Sequence, residues 1–112
     1  MDQISTYRDI IQSELEERAT YGFLGAPEMY HQLVVDSERN HFLLLSMGWF
    51  EKKYRNYIVY HFEIKGDKIW VHQDNTDVGI AEIIANRGIP KSSIVLGYFP
   101  KYVRELSDYA VA

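Results

Sequence analysis

Glu63, Ile64 and Lys65 form an acid-x-lysine triplet, a pattern that can bind Mg²⁺ and position water in nucleases when an aspartate on a neighbouring strand joins it. Asp36 is the available aspartate. The triplet is also what the outward positions of any alternating strand give, and no proline or glycine context marks Asp36, so the nuclease reading is the weaker one. His61 and His72 form a second constellation, since two imidazoles on adjacent strands could hold a metal if Asp74 joined them. His31 and His41 belong to other strands and have no evident partner. Asp74, Asn75, Thr76 and Asp77 could coordinate a cation, but they lack the glycine and terminal glutamate of a calcium loop, and helix capping explains them more simply. Lys52, Lys53 and Arg55 with Tyr54 and Tyr57 make a basic, aromatic patch that could touch nucleic acid. Glu51 dilutes it, and charge protecting a sheet edge is the simpler role.

Other chemistries have no residues to carry them. The chain has no cysteine, no Gly-x-Ser-x-Gly turn and no glycine loop for phosphate. No catalytic residue, cofactor or metal is therefore assigned.

The elements that position these side chains can be read from spacing. Residues 54–65 alternate, with Tyr54, Asn56, Ile58, Tyr60, Phe62 and Ile64 on one side and Arg55, Tyr57, Val59, His61, Glu63 and Lys65 on the other, as in a half-buried strand. Gly66 and Asp67 supply a two-residue turn, which sets Ile64 opposite Ile69, Glu63 opposite Trp70, Phe62 opposite Val71 and His61 opposite His72. Val78, Ala81, Ile84 and Ala85 then recur at helical spacing after a cap at Thr76 or Asp77. Gly88, Ile89 and Pro90 end that helix. Upstream, Ile4, Tyr7, Ile11 and Leu15 predict an amphipathic helix over residues 2–18 whose outer face is acidic. Strands are expected over 29–36 and 41–49, with a turn between. Phe42 to Leu45 does not alternate, which implies apolar contacts on both faces. Residues 91–93 predict a single helical turn, 94–96 a short apolar strand or extended piece, and Pro100 the first residue of a last helix with Tyr102, Val103 and Leu106 inward and Lys101 and Arg104 outward.

With 112 residues the chain is expected to form one domain over residues 1–112. Its 16 acidic and 12 basic side chains, net charge −4, work against autonomous nucleic-acid binding through phosphates. Missing cysteines fit a reducing compartment. The first residues carry neither a basic region nor an apolar run, and no stretch is long enough to span a bilayer, so a soluble, unprocessed cytoplasmic protein is expected.

The fold class predicted is α+β: an N-terminal helix, a four-stranded antiparallel meander sheet and C-terminal helices packed on one face. Helices this few cover one face, leaving apolar side chains on the other, so a homodimer or a tight heteromer is expected. Phe42, Leu43, Leu44, Leu45, Trp49 and Trp70 are the expected contact residues.

The run from Lys68 through Thr76, then Gly79-Ile80-Ala81, Gly88-Ile89-Pro90-Lys91-Ser92 and Ile94-Val95-Leu96-Gly97, resembles the XisI family of fdxN element excision controlling factors. The likeness continues in Tyr7-Arg8, in Asp36 to His41, in Gly48-Trp49, and downstream in Pro100, Tyr102, Arg104 and Tyr109-Ala110-Val111. It covers nearly the whole chain. One departure is Asn75, where family members tend to have glycine. The resemblance implies a non-enzymatic accessory factor, cyanobacterial, required with an XisH-like companion of nuclease fold and a site-specific recombinase to excise a DNA element during heterocyst development. It brings no catalytic residues. An alternative it leaves open is an inhibitor or antitoxin-like partner of the nuclease-fold companion.

Overall fold

A computed structural model describes residues 2–112. Helix α1 (Gln3–Ala19) opens on Asp2, whose carboxylate accepts a hydrogen bond from the Ser5 amide at 2.7 Å. Four strands follow, β1 (Met29–Asp36), β2 (His41–Phe50), β3 (Lys53–Lys65) and β4 (Lys68–Asp74). Helix α2 (Ile80–Asn86), a 3-10 turn (Lys91–Ser93), strand β5 (Ile94–Leu96) and helix α3 (Lys101–Arg104) complete the chain.

The α+β class holds, but the sheet has five strands in the order β1-β2-β3-β4-β5. The first four form the expected antiparallel meander. β5 then lies parallel to β4, pairing Ile69 with Ile94, Trp70 with Val95 and Val71 with Leu96, so the sheet is mixed. A parallel neighbour needs a crossover, and α2 supplies it. Ala110 bridges to Val95 beyond β5.

α1 and α2 cover one face. Tyr7, Ile11 and Leu15 from α1 and Ile80, Ala81 and Ile84 from α2 pack with Phe42, Leu44, Phe62, Ile64, Ile69 and Val71 in one buried cluster. Glu14 is buried at this seam and is held by Arg18 at 2.8 Å and by Arg87 at 2.9 Å, which ties the first helix to the end of the second. α2 ends as its sequence says: the Gly88 amide donates to the Ala85 carbonyl and Ile89 to Ile84, with Gly88 at φ 121°. Its start differs from expectation. Neither Thr76 nor Asp77 caps it; the Asp74 carboxylate accepts from the Ile80 amide at 2.9 Å and from the Thr76 hydroxyl at 2.7 Å.

α3 corrects the expected layering, because it serves the opposite face. The Arg104 guanidinium lies 5.4 Å over the Trp70 ring and donates to the carbonyls of Val111 at 2.7 Å and Phe99 at 2.6 Å. Arg104 thus turns inward together with Val103, both half-buried, while Tyr102 and Leu106 are exposed. A four-residue helix has too few turns for an apolar stripe to decide its orientation.

Candidate functional site

Two bulges determine what the uncovered face presents. One lies between Leu44 and Leu45 on the β2–β3 ladder, where Leu44 pairs with Tyr60 and Leu45 with Ile58, leaving Val59 without an opposite number. A single extra residue shifts the alternation by one, so Tyr60, Phe62 and Ile64 face the helices while Tyr54, Asn56 and Ile58 turn to the other side. The second bulge leaves His72 unpaired, because Phe62 meets Val71 but His61 meets Gln73. The expected pairs Ile64–Ile69, Phe62–Val71 and Glu63–Trp70 are present; His61 opposite His72 is not.

Rungs across β1, β2 and β3 therefore read Tyr30–Met47–Asn56, Gln32–Leu45–Ile58 and Val34–Leu43–His61 on the uncovered face. None of these side chains is a lysine, arginine or carboxylate. Tyr30 is 53% exposed and Val34 41%, and beside them Trp49 is 53% and Tyr54 49% exposed, their rings meeting edge to face at 5.5 Å. The six expected contact residues divide by strand alternation. Leu43, Leu45 and Trp49 belong to this face, and Trp70 lies farther along it beneath Arg104. Phe42 and Leu44 point the other way and fill the core. The consecutive leucines thus serve a helix-covered face and an open one. Met47, Tyr30 and Ile58 join the surface, although only the bulge could have revealed Ile58.

The next rung, Asp36–His41–Glu63–Trp70, brings the titratable groups together. His41 Nδ1 is 2.9 Å from His61 Nε2, and His41 Nε2 is 3.6 Å from Glu63 Oε2. His72 Nε2 lies 2.8 Å from Glu63 Oε1, and its ring stacks near Trp70 with centroids 6.0 Å apart. His61, between the other two imidazoles, has its pKa pushed down by partial burial and then by His72 and His41, with Glu63 opposing. Burial pushes the Glu63 carboxyl up, but the His72 hydrogen bond and the nearby His41, His72 and Lys65 outweigh it and hold the group below its ordinary value. At neutral pH His61 is accordingly uncharged.

This arrangement does not build the nuclease constellation. Asp36 and Glu63 stand on strands separated by β2, so their backbones are about 10 Å apart with His41 between them. Asp36 accepts from the Glu38 and Arg39 amides at the hairpin turn, and Lys65 lies 4.6 Å over Trp70. Asp74 is occupied at the start of α2 and does not meet His61 or His72 as a third ligand. Among the described residues, no three histidines or carboxylates converge as metal ligands would. Ser46 and His31 do form a close pair at 2.7 Å, yet the Ser46 hydroxyl is wholly buried and no substrate could reach it. Lys52 sits with Glu51 at the tip of the β2–β3 hairpin, both at positive φ, where a two-residue turn requires it.

The model of the family described as XisI protein matches residues 1–111. The chain belongs to the XisI family. Its fold superimposes on the crystal structure of a XisI-like protein from Anabaena variabilis with a TM-score of 0.88 and 34% identity, covering 98% of this chain and all of that one. A second XisI structure, described as the fdxN element excision controlling factor XisI from Anabaena variabilis, matches with a TM-score of 0.80 and 29% identity over 99% of this chain and all of that one. No curated protein gives a significant match. Both solved XisI structures are matched along their whole length, so the likeness extends over the complete fold.

Proposed function

We propose that this XisI-family chain is a non-enzymatic controlling factor for excision of a DNA element, and that it acts through protein contacts made by the uncovered sheet face. The observation that carries the reading is the set of three uncharged rungs flanked by exposed aromatics. Interface centres are depleted in charge and enriched in aromatic residues and methionine, and this face has that composition. The excision role is drawn from the XisI neighbour described as a controlling factor.

β1 adds to the argument. It is an edge strand of eight residues with no lysine, no internal proline and an unbroken register with β2, so it lacks the devices that discourage pairing with another chain. We assign the face and this edge to a homodimer, with the XisH-like companion and a site-specific recombinase as the further partners of the assembly. The net charge of −4 favours contact with these proteins over direct contact with DNA.

The test is a recombination assay that combines the chain, the companion and the recombinase with a plasmid carrying the element. Leu45→Arg should abolish excision while the circular dichroism spectrum stays that of the wild type. Undiminished excision by this variant would overturn the assignment of the face. Undiminished excision when the chain is left out would overturn the controlling role. If the chain instead suppresses nuclease activity of the companion, the inhibitor reading replaces it.

A further inference from the structure

On the helix-covered side, where the helical layer has ended and the β2–β3 hairpin runs on, a cleft of about 480 Å³ opens. Its size is that of small-molecule sites, which measure roughly 300–1,000 Å³. Phe23, Met29, Phe50 and Tyr57 supply apolar and aromatic walls, and Arg55 and Asn75 are the polar side chains. Strand alternation explains why an arginine stands here. Arg55 pairs with Gly48 and Tyr57 with Ser46, so both point to the same side as Leu44 and the core, but beyond the reach of α1.

Arg55 is a cation without a counterpart. Its guanidinium carbon lies over the Phe50 ring, 5.3 Å from the ring centre. Its Nε is sealed from solvent and has no acceptor, and among the described residues no carboxylate pairs with it. A buried donor without a partner is costly, but a sealed Nε is closed to a ligand as well as to water, so a ligand oxygen in the cleft would meet the terminal nitrogens of the group. The N–H edge of a guanidinium suits a planar carboxylate, which can accept two parallel hydrogen bonds.

We propose that this cleft binds a small monocarboxylic acid with an aromatic or branched apolar body, its carboxylate on Arg55 and its body between Phe23, Phe50 and Tyr57. A single cation lines the site, which matches one negative charge and not the dianion of a phosphate ester. Asn75 offers an amide to a further polar group of the ligand. The site is separate from the sheet face assigned above to protein contacts and does not depend on that assignment.

The experiment is a titration of the isotopically labelled full chain with benzoate, 3-phenylpropionate and 1-naphthoate, each compared with its neutral primary amide, followed by amide chemical shifts. Saturable shifts are expected at Phe23, Phe50, Tyr57 and Asn75, with at least one acid binding roughly tenfold or more tightly than its amide, as a charge-assisted pair requires. Arg55→Met should erase the difference between acid and amide while leaving shifts remote from the cleft unchanged, and Arg55→Lys should restore it in part. If Arg55→Met disturbs the fold, Arg55→Lys and the acid-to-amide ratio in the wild type still decide the matter. No saturable shift in the cleft, equal affinity for acid and amide, or discrimination that survives loss of the arginine would each overturn the proposal.

Discussion

Glu14, three residues from Ile11 and seven from Tyr7, lies on the apolar side of α1 and is buried there between two guanidiniums. Helical periodicity marks which side of α1 is apolar, but not that Arg87, distant in sequence, would come to meet this acid. Glu14→Gln should therefore destabilise the chain by about 2 kcal/mol, because both arginines lose their counter-charge at a seam with little water. Urea denaturation checks this, and the neighbouring exposed Glu16→Gln should change little. The histidine cluster was legible only in part for a similar reason. His61 and His72 stand out because they flank a well-marked turn, whereas His41 joins them through β2–β3 pairing that no local signal announces. Its consequence is a defined response to acid. His61 has a lowered folded pKa, so below about 6.5 the unfolded chain takes up the proton more readily and stability falls with pH. Glu63, also lowered, contributes stability that is present above about 4.5 and is lost as pH falls further. Thermal unfolding across this range should show both declines, and His61→Gln should flatten the first while leaving the second.

Elements whose ends carry distinctive residues were the readable ones. Gly66-Asp67 dictates a two-residue turn and hence three correct cross-strand pairs, and Gly88-Ile89-Pro90 dictates the end of α2. The bulges at Val59 and His72 escaped because neither position holds a residue that demands one, and each follows from the fit of a whole strand to its neighbour. The three apolar residues of β5 were legible as a short strand or extended piece, but its place in the sheet was not, because its parallel pairing depends on where α2 returns the chain. Gly48 is an element-level constraint of another kind. At φ 132° on β2, a side chain there would run into the Glu28 carbonyl oxygen, with Met29 Cα also within 2.9 Å, so the start of β1 can lie close only against a glycine. Gly48→Ala should cost about 3 kcal/mol by displacing backbone. By contrast, Gly88→Ala meets only the Ile10 side chain at 3.7 Å, and its cost should be nearer 1 kcal/mol, arising from positive φ. The two midpoints measured side by side test this order. At the C-terminus, Arg104→Met should speed amide exchange at Ala110, which donates to the Ile94 carbonyl, while the urea midpoint shifts little.

For the whole molecule, the fold leaves one sheet face covered by α1 and α2 and the other covered only toward β4 and β5, where Arg104 and the last residues lie. That asymmetry was visible in the sequence, since two helices of useful length cannot cover both sides of a sheet this wide. The composition of the open part was not, because it depends on which leucines of β2 and which residues of β3 turn outward. In the proposed assembly a second copy of the chain covers this face in solution. Its most direct test is light scattering of the purified chain across a range of concentrations, with Leu45→Arg measured beside it. Twice the 13.2 kDa mass is expected for the wild type and the single-chain mass for a folded Leu45→Arg variant. A wild type that remains at the single-chain mass at every concentration, or a variant that still doubles, would contradict it.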